Sequence, residues 1–175
     1  CGETKGELGC EALSTSKDLG RRALEAEALS LQALLHQAGA KYAESAEAWS
    51  RTAFAAQAAG FDELLATASI HLITVVGFQL NRPAEGRSWD GLARATIERM
   101  GGDDLLSLER KMAIARVGNV EGKPLEVAQQ HADALAAAKA LLGDDHPLLW
   151  KVEFDYGSSL VAAKDPLGAV VHLER

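Results

Sequence analysis

The chain has 175 residues, with 18 Lys plus Arg against 25 Asp plus Glu and a formal charge of −7. No window holds more cations than short pairs such as Arg21-Arg22 and Arg110-Lys111, which disfavours the clustered basic surface that nucleic-acid binding needs. Ala and Leu dominate the 47% apolar content, aromatics are 5% and prolines number four, so helix is favoured over strand.

Residues 1–18, rich in Gly, Glu and Thr, read as a leader or linker holding both cysteines, Cys1 and Cys10. Three states stay open for them: a disulfide closing a small loop, free thiols, or, for Cys1, the lipid-bearing first residue of a processed bacterial lipoprotein. With no initiator Met and an end inside a helix-like stretch, the chain is expected to be a segment of a longer protein. From residue 19 onward, helices are predicted at about 19–38, 42–59, 62–81, 84–100, 104–121, 124–142, 147–163 and 166–175. The most apolar stretch, residues 70–80, is interrupted by His71, Thr74, Gly77 and Gln79 and falls short of the ~20 residues that cross a bilayer.

Two series of markers recur along these helices. Gly60-Phe61-Asp62-Glu63-Leu64-Leu65, Gly101-Gly102-Asp103-Asp104-Leu105-Leu106 and Gly143-Asp144-Asp145-His146-Pro147-Leu148-Leu149 have their glycines 41 and 42 residues apart. Between them, Tyr42, Pro83, Pro124 and Pro166 follow at intervals of 41, 41 and 42. A Gly stop with an Asp cap thus alternates with a Pro or Tyr turn about every twenty residues, and each period holds two helices, a helical hairpin. Gly60, Gly101 and Gly143 suit the left-handed position past a helix end. Asp62, Asp103 or Asp104, and Asp145 suit the next N-terminus, and the prolines suit the first turn of each second helix. The units fall at about 19–60, 61–101, 102–143 and 144–175, the last truncated. Nine residues before each turn marker stands Ala33, Thr74, Ala115 or Gly157, where the two helices of a hairpin are expected to cross most closely.

The small residue in the first helix, the turn Gly39-Ala40-Lys41-Tyr42 with Trp49 after it, and the turn Asp165-Pro166-Leu167-Gly168-Ala169 followed by Leu173 resemble the tetratricopeptide repeat. The linker Leu142-Gly143-Asp144-Asp145-His146-Pro147 is similar to the inter-repeat signature of the longer, kinesin-light-chain-like variety. Gly86 and Val127 stand where that resemblance implies Ala, and Lys164 where it implies Gly. The resemblance covers residues 19–175 and implies an all-α, right-handed α-solenoid of about 3.5 antiparallel hairpins. It also implies a parent of the kind that carries such arrays, a bacterial Ser/Thr protein kinase or transcriptional regulator.

No chemistry-bearing pattern competes with that reading. The five histidines form no metal motif with Cys or carboxylates. Asp144-Asp145-His146 reads as a helix cap, and no phosphate loop or nucleophile elbow occurs. Glu25, Glu27, Glu44 and Glu47 read as a solvated face, and Trp49, Trp89 and Trp150 as packing residues. No catalytic role, metal or cofactor is expected for this segment.

The expected function is therefore protein or peptide binding by the concave face, which the first helices line. The register places Ser30, Leu34 and Gln37, then His71, Val75 and Phe78, then Met112, Arg116 and Asn119, then Phe154, Ser158 and Val161 on that face. His71, Phe78, Met112, Arg116, Asn119 and Phe154 are the candidate partner-binding residues, with Arg116 suited to a partner carboxylate or phosphate. No unit has the Lys and Asn combination with which related arrays clamp a chaperone's C-terminal carboxylate. The rival reading is a ligand-sensing regulatory segment of a kinase or transcriptional regulator. Neither nucleic acid nor membrane insertion is expected; the oligomeric state stays open, as does a cytoplasmic or extracytoplasmic place in a membrane-anchored bacterial protein.

Overall fold

A computed structural model describes the backbone of residues 5–174 and the side chains of residues 20–174, and every regular element among them is helical. In chain order these are α1 (Lys5–Ala38), α2 (Tyr42–Ala59), α3 (Asp62–Leu72, continuing as a π-helix over Ile73–Gln79), α4 (Pro83–Arg99), α5 (Asp104–Val120), α6 (Pro124–Leu142), α7 (Leu149–Ala162) and α8 (Pro166–Leu173). From α2 on, each boundary lies within two residues of its expected place. The exception is the start of α1, which runs back to Lys5 through the stretch read as a leader. Extending an existing helix costs far less than nucleating one, so the Glu, Ala, Leu and Lys of that stretch can continue a helix that α2 anchors. The pairing of Cys1 with Cys10 lies outside the described residues. No described helix is long and apolar enough to cross a membrane.

The turns repeat as the markers do. Pro83, Pro124 and Pro166 open α4, α6 and α8, where an N–H would have no helical acceptor. Inside each hairpin the turn residue before them has positive φ: Ala40 (55°), Asn81 (56°), Gly122 (74°) and Lys164 (64°). Asp103 caps α5 by accepting from the Leu106 N–H at 2.8 Å, and Asp165 caps α8 by accepting from Gly168 at 3.0 Å. Two expected caps act otherwise. Asp62 takes both donors of Arg99 in α4, at 2.9 and 2.6 Å. Asp145 stays exposed, and His146 Nδ1 accepts the Leu148 N–H at 3.2 Å instead.

Consecutive helices pack in pairs along the whole array, and α1 touches α3, α3 touches α5, and α5 touches α7. Three apolar clusters form the core: one around Trp49 joining α1, α2 and α3, one joining α3, α4 and α5 through Ile73, Ile97 and Val117, and one joining α5, α6 and α7 through Met112, Leu135 and Val152. Within the hairpins the close crossings lie twelve residues apart in sequence at both ends of the array. Ser45 Oγ donates to the Ala33 carbonyl at 3.0 Å, and a Cβ on Gly157 would lie 3.3 Å from the Ala169 carbonyl.

The second hairpin differs by one residue, which corrects the expected role of Thr74. Here Ile73, not Thr74, meets Gly86, whose Cβ would lie 3.4 Å from the Ile73 carbonyl and 2.6 Å from Gly77 Cα. Ala33 and Ala115 are fully buried as expected, whereas Thr74 is half-buried. The cause is the π-helix over Ile73–Gln79: its wider turn takes up an extra residue and rotates the helix face by about one position. The Gly77–Gly86 contact also explains why Gly stands at 86 where the resemblance implies Ala.

Candidate functional site

The face carried by the first helices holds a cavity of about 140 Å³ with walls from α1, α3, α5, α6 and α7 and from the linker before α7. Gln37 closes it from α1, Ile70, His71 and Thr74 from α3, and Leu105, Leu108, Glu109, Met112, Ala113 and Arg116 from α5. Leu142, Leu148, Lys151 and Val152 complete the wall. The π-helix is what turns Thr74 into this space. Leu105 and Leu148 remain 39% and 44% exposed at the rim.

His71 is held by stacking rather than by a polar partner: its ring lies parallel to Trp49, with centroids 4.1 Å apart and planes 8° from parallel. Trp49 is 1% exposed and donates its Nε1–H to Gln37 Oε1 at 3.3 Å, so three hairpin-derived side chains lock one another. Burial, reinforced by the positive charges of Lys151 and Arg116, pulls the His71 pKa down to about 4. The imidazole is therefore neutral at physiological pH and offers an aromatic surface, not a cation.

Arg116 differs from expectation. It lies in the cavity wall, but its guanidinium is paired with Asp155 of α7, and the two side chains are 21% and 13% exposed. That pair ties α5 to α7 across a unit boundary and engages Nη2 of the guanidinium expected to meet a partner. Similar bridges join neighbouring units at Arg110–Asp90, Arg87–Glu121 and Lys139–Glu153. Glu25, Glu27, Glu44 and Glu47 are exposed.

The structure brings His71, Met112 and Arg116 together at the cavity and leaves Phe78, Asn119 and Phe154 outside its walls. Met112 is 6% exposed and Phe154 55%. Asn119 Oδ1 is buried without a hydrogen-bond partner. Val75, expected on the same face, is fully buried with the α2 cluster. Ten of the lining residues were missed: Thr74, displaced by the π-helix, Ile70 in α3, Leu105, Leu108, Glu109 and Ala113 in α5, and Leu142, Leu148, Lys151 and Val152 at the far wall. Leu142 and Leu148 flank the Gly-Asp-Asp-His-Pro linker, whose apolar flanks were the available signal. No group of His, Cys, Asp or Glu that could hold a metal ion occurs among the described residues. No protein-family model matches the chain, and a search of curated proteins finds no match.

Proposed function

We propose that the chain is a tetratricopeptide-like, right-handed α-solenoid whose concave face binds a protein or peptide partner. In this reading it is a non-catalytic part of a larger bacterial signalling protein. The carrying observation is the cavity built by successive first helices, since repeat arrays recognise extended partners by adding side chains from one unit after another. Its size supports a peptide side chain as the occupant. About 140 Å³ is close to the ~150 Å³ that holds a benzene ring and well below the ~300–1,000 Å³ of sites that enclose a whole small molecule. The cavity suits one large apolar side chain of a peptide, anchored among Ile70, Leu108, Met112 and Val152 and flanked at the rim by Lys151.

Panning a displayed random-peptide library on the immobilised chain tests this reading. A recurring motif with one aromatic or branched aliphatic anchor is the expected outcome. Absence of any motif would move the weight to small-ligand sensing. The linker Leu142-Gly143-Asp144-Asp145-His146-Pro147 supports a kinase- or regulator-linked parent, and the full reading frame tests that setting directly.

A further inference from the structure

Helix α1 carries a bare apolar stripe: Leu24, Leu31 and Leu35 are 67%, 62% and 74% exposed, and Leu34 is 42% exposed. The repeat shows what such positions do elsewhere. One period of 41 residues on stand Leu65, Leu72, Val76 and Val75, each at most 5% exposed and sharing a core with Trp49, Ala53 and Ala56 of α2. A further period on, Leu106, Ala113 and Val117 share a core with Ala93 and Ile97 of α4. These are the positions that receive a second helix running alongside, and on α1 no described residue covers them. With Ala28 the stripe is spaced by four, three and four residues, the spacing of a two-helix seam.

We propose that this seam pairs with its own copy, α1 against α1 of a second molecule, antiparallel about a two-fold axis between Ala28 and Leu31. In that arrangement Leu24 faces Leu35 of the other copy and Ala28 faces Leu31, so both copies use the same patch, as a two-fold interface requires. The flanking charges favour the same direction. Glu25 lies across from Gln32 and Glu27 across from Leu34, so no like charges meet, whereas a parallel pair would set Arg21 against its own copy at a seam position. Head-to-tail stacking onto α8 is the weaker geometry. That helix has eight residues, shorter than the span from Leu24 to Leu35 that the seam occupies on α1.

Sedimentation or light scattering of the full chain across micromolar concentrations tests the pairing. The expected species has twice the 18.5 kDa chain mass, and Leu31→Glu with Leu35→Glu converts it to monomer while helix content by circular dichroism is unchanged. Leu125→Glu with Leu167→Glu, at comparably exposed positions (74% and 83%), leaves the dimer in place. A wild-type monomer throughout the range, or a dimer that survives the α1 double substitution, would overturn the proposal. Neither result bears on peptide capture at the cavity.

Discussion

Gly86 has no room for even one carbon more. A Cβ there would meet Gly77 Cα at 2.6 Å and the Gly77 nitrogen at 3.3 Å, and backbone cannot swing aside as a side chain can. Gly86→Ala is therefore expected to cost about 1–3 kcal/mol, read as a lowered urea midpoint. Gly91, in the same helix, has nothing within 4 Å of its would-be Cβ; Gly91→Ala should raise stability by about 0.5–1 kcal/mol through helix propensity alone. At Gly157 the first atoms met belong to Leu173, at 2.8 Å, with the Ala169 carbonyl behind at 3.3 Å. The Leu173 tip can give way, so Gly157→Ala should be milder than Gly86→Ala, and Gly157→Leu severe.

His71 gives the fold a pH dependence of definite sign. Its folded pKa of about 4 lies below the unfolded value of 6.5, so the unfolded chain binds the proton first. The stability it contributes is complete above pH 6.5 and is lost as pH falls towards 4, by ~3 kcal/mol at the limit. Burial lowers the His131 pKa as well, in the same direction. Thermal melts between pH 7 and 4.5 should therefore fall steadily, and His71→Phe, which keeps a ring on Trp49, should flatten part of that fall. An identical slope in the variant would remove His71 as a cause.

At the scale of the helices, most of the architecture was legible because its punctuation is chemical. Gly60, Gly101, Pro83, Pro124 and Pro166 each mark a backbone state that few other residues tolerate, and α2 and α6 begin and end where those markers place them. Two features were hidden. The start of α1 follows from propagation out of a packed helix. The π-helix over Ile73–Gln79 has no residue signature of its own, yet it moves Thr74 from the crossing to the cavity. A one-residue change of phase turns a helix by about 100°, which also explains why Val75, expected on the binding face, is fully buried.

Across the whole molecule, neighbouring units are joined by apolar clusters and by charge pairs at their seams. Among the charge pairs named above, Arg116–Asp155 is the one that joins two first helices. Its loss leaves a half-buried carboxylate without its cation, so Arg116→Ala should destabilise the fold by about 1–3 kcal/mol. It is therefore a poor probe of binding. Thr74→Trp is a cleaner one: position 74 is half-buried, faces the cavity and makes no hydrogen-bonded tie between units. The most direct measurement is a calorimetric titration of a panned peptide into the wild type, Thr74→Trp and Phe154→Ala, with melting curves confirming that all three fold. Filling the cavity should weaken binding tenfold or more, about 1.4 kcal/mol, while Phe154→Ala, outside the cavity walls, stays near wild-type affinity. Equal affinity for wild type and Thr74→Trp would contradict recognition at this cavity.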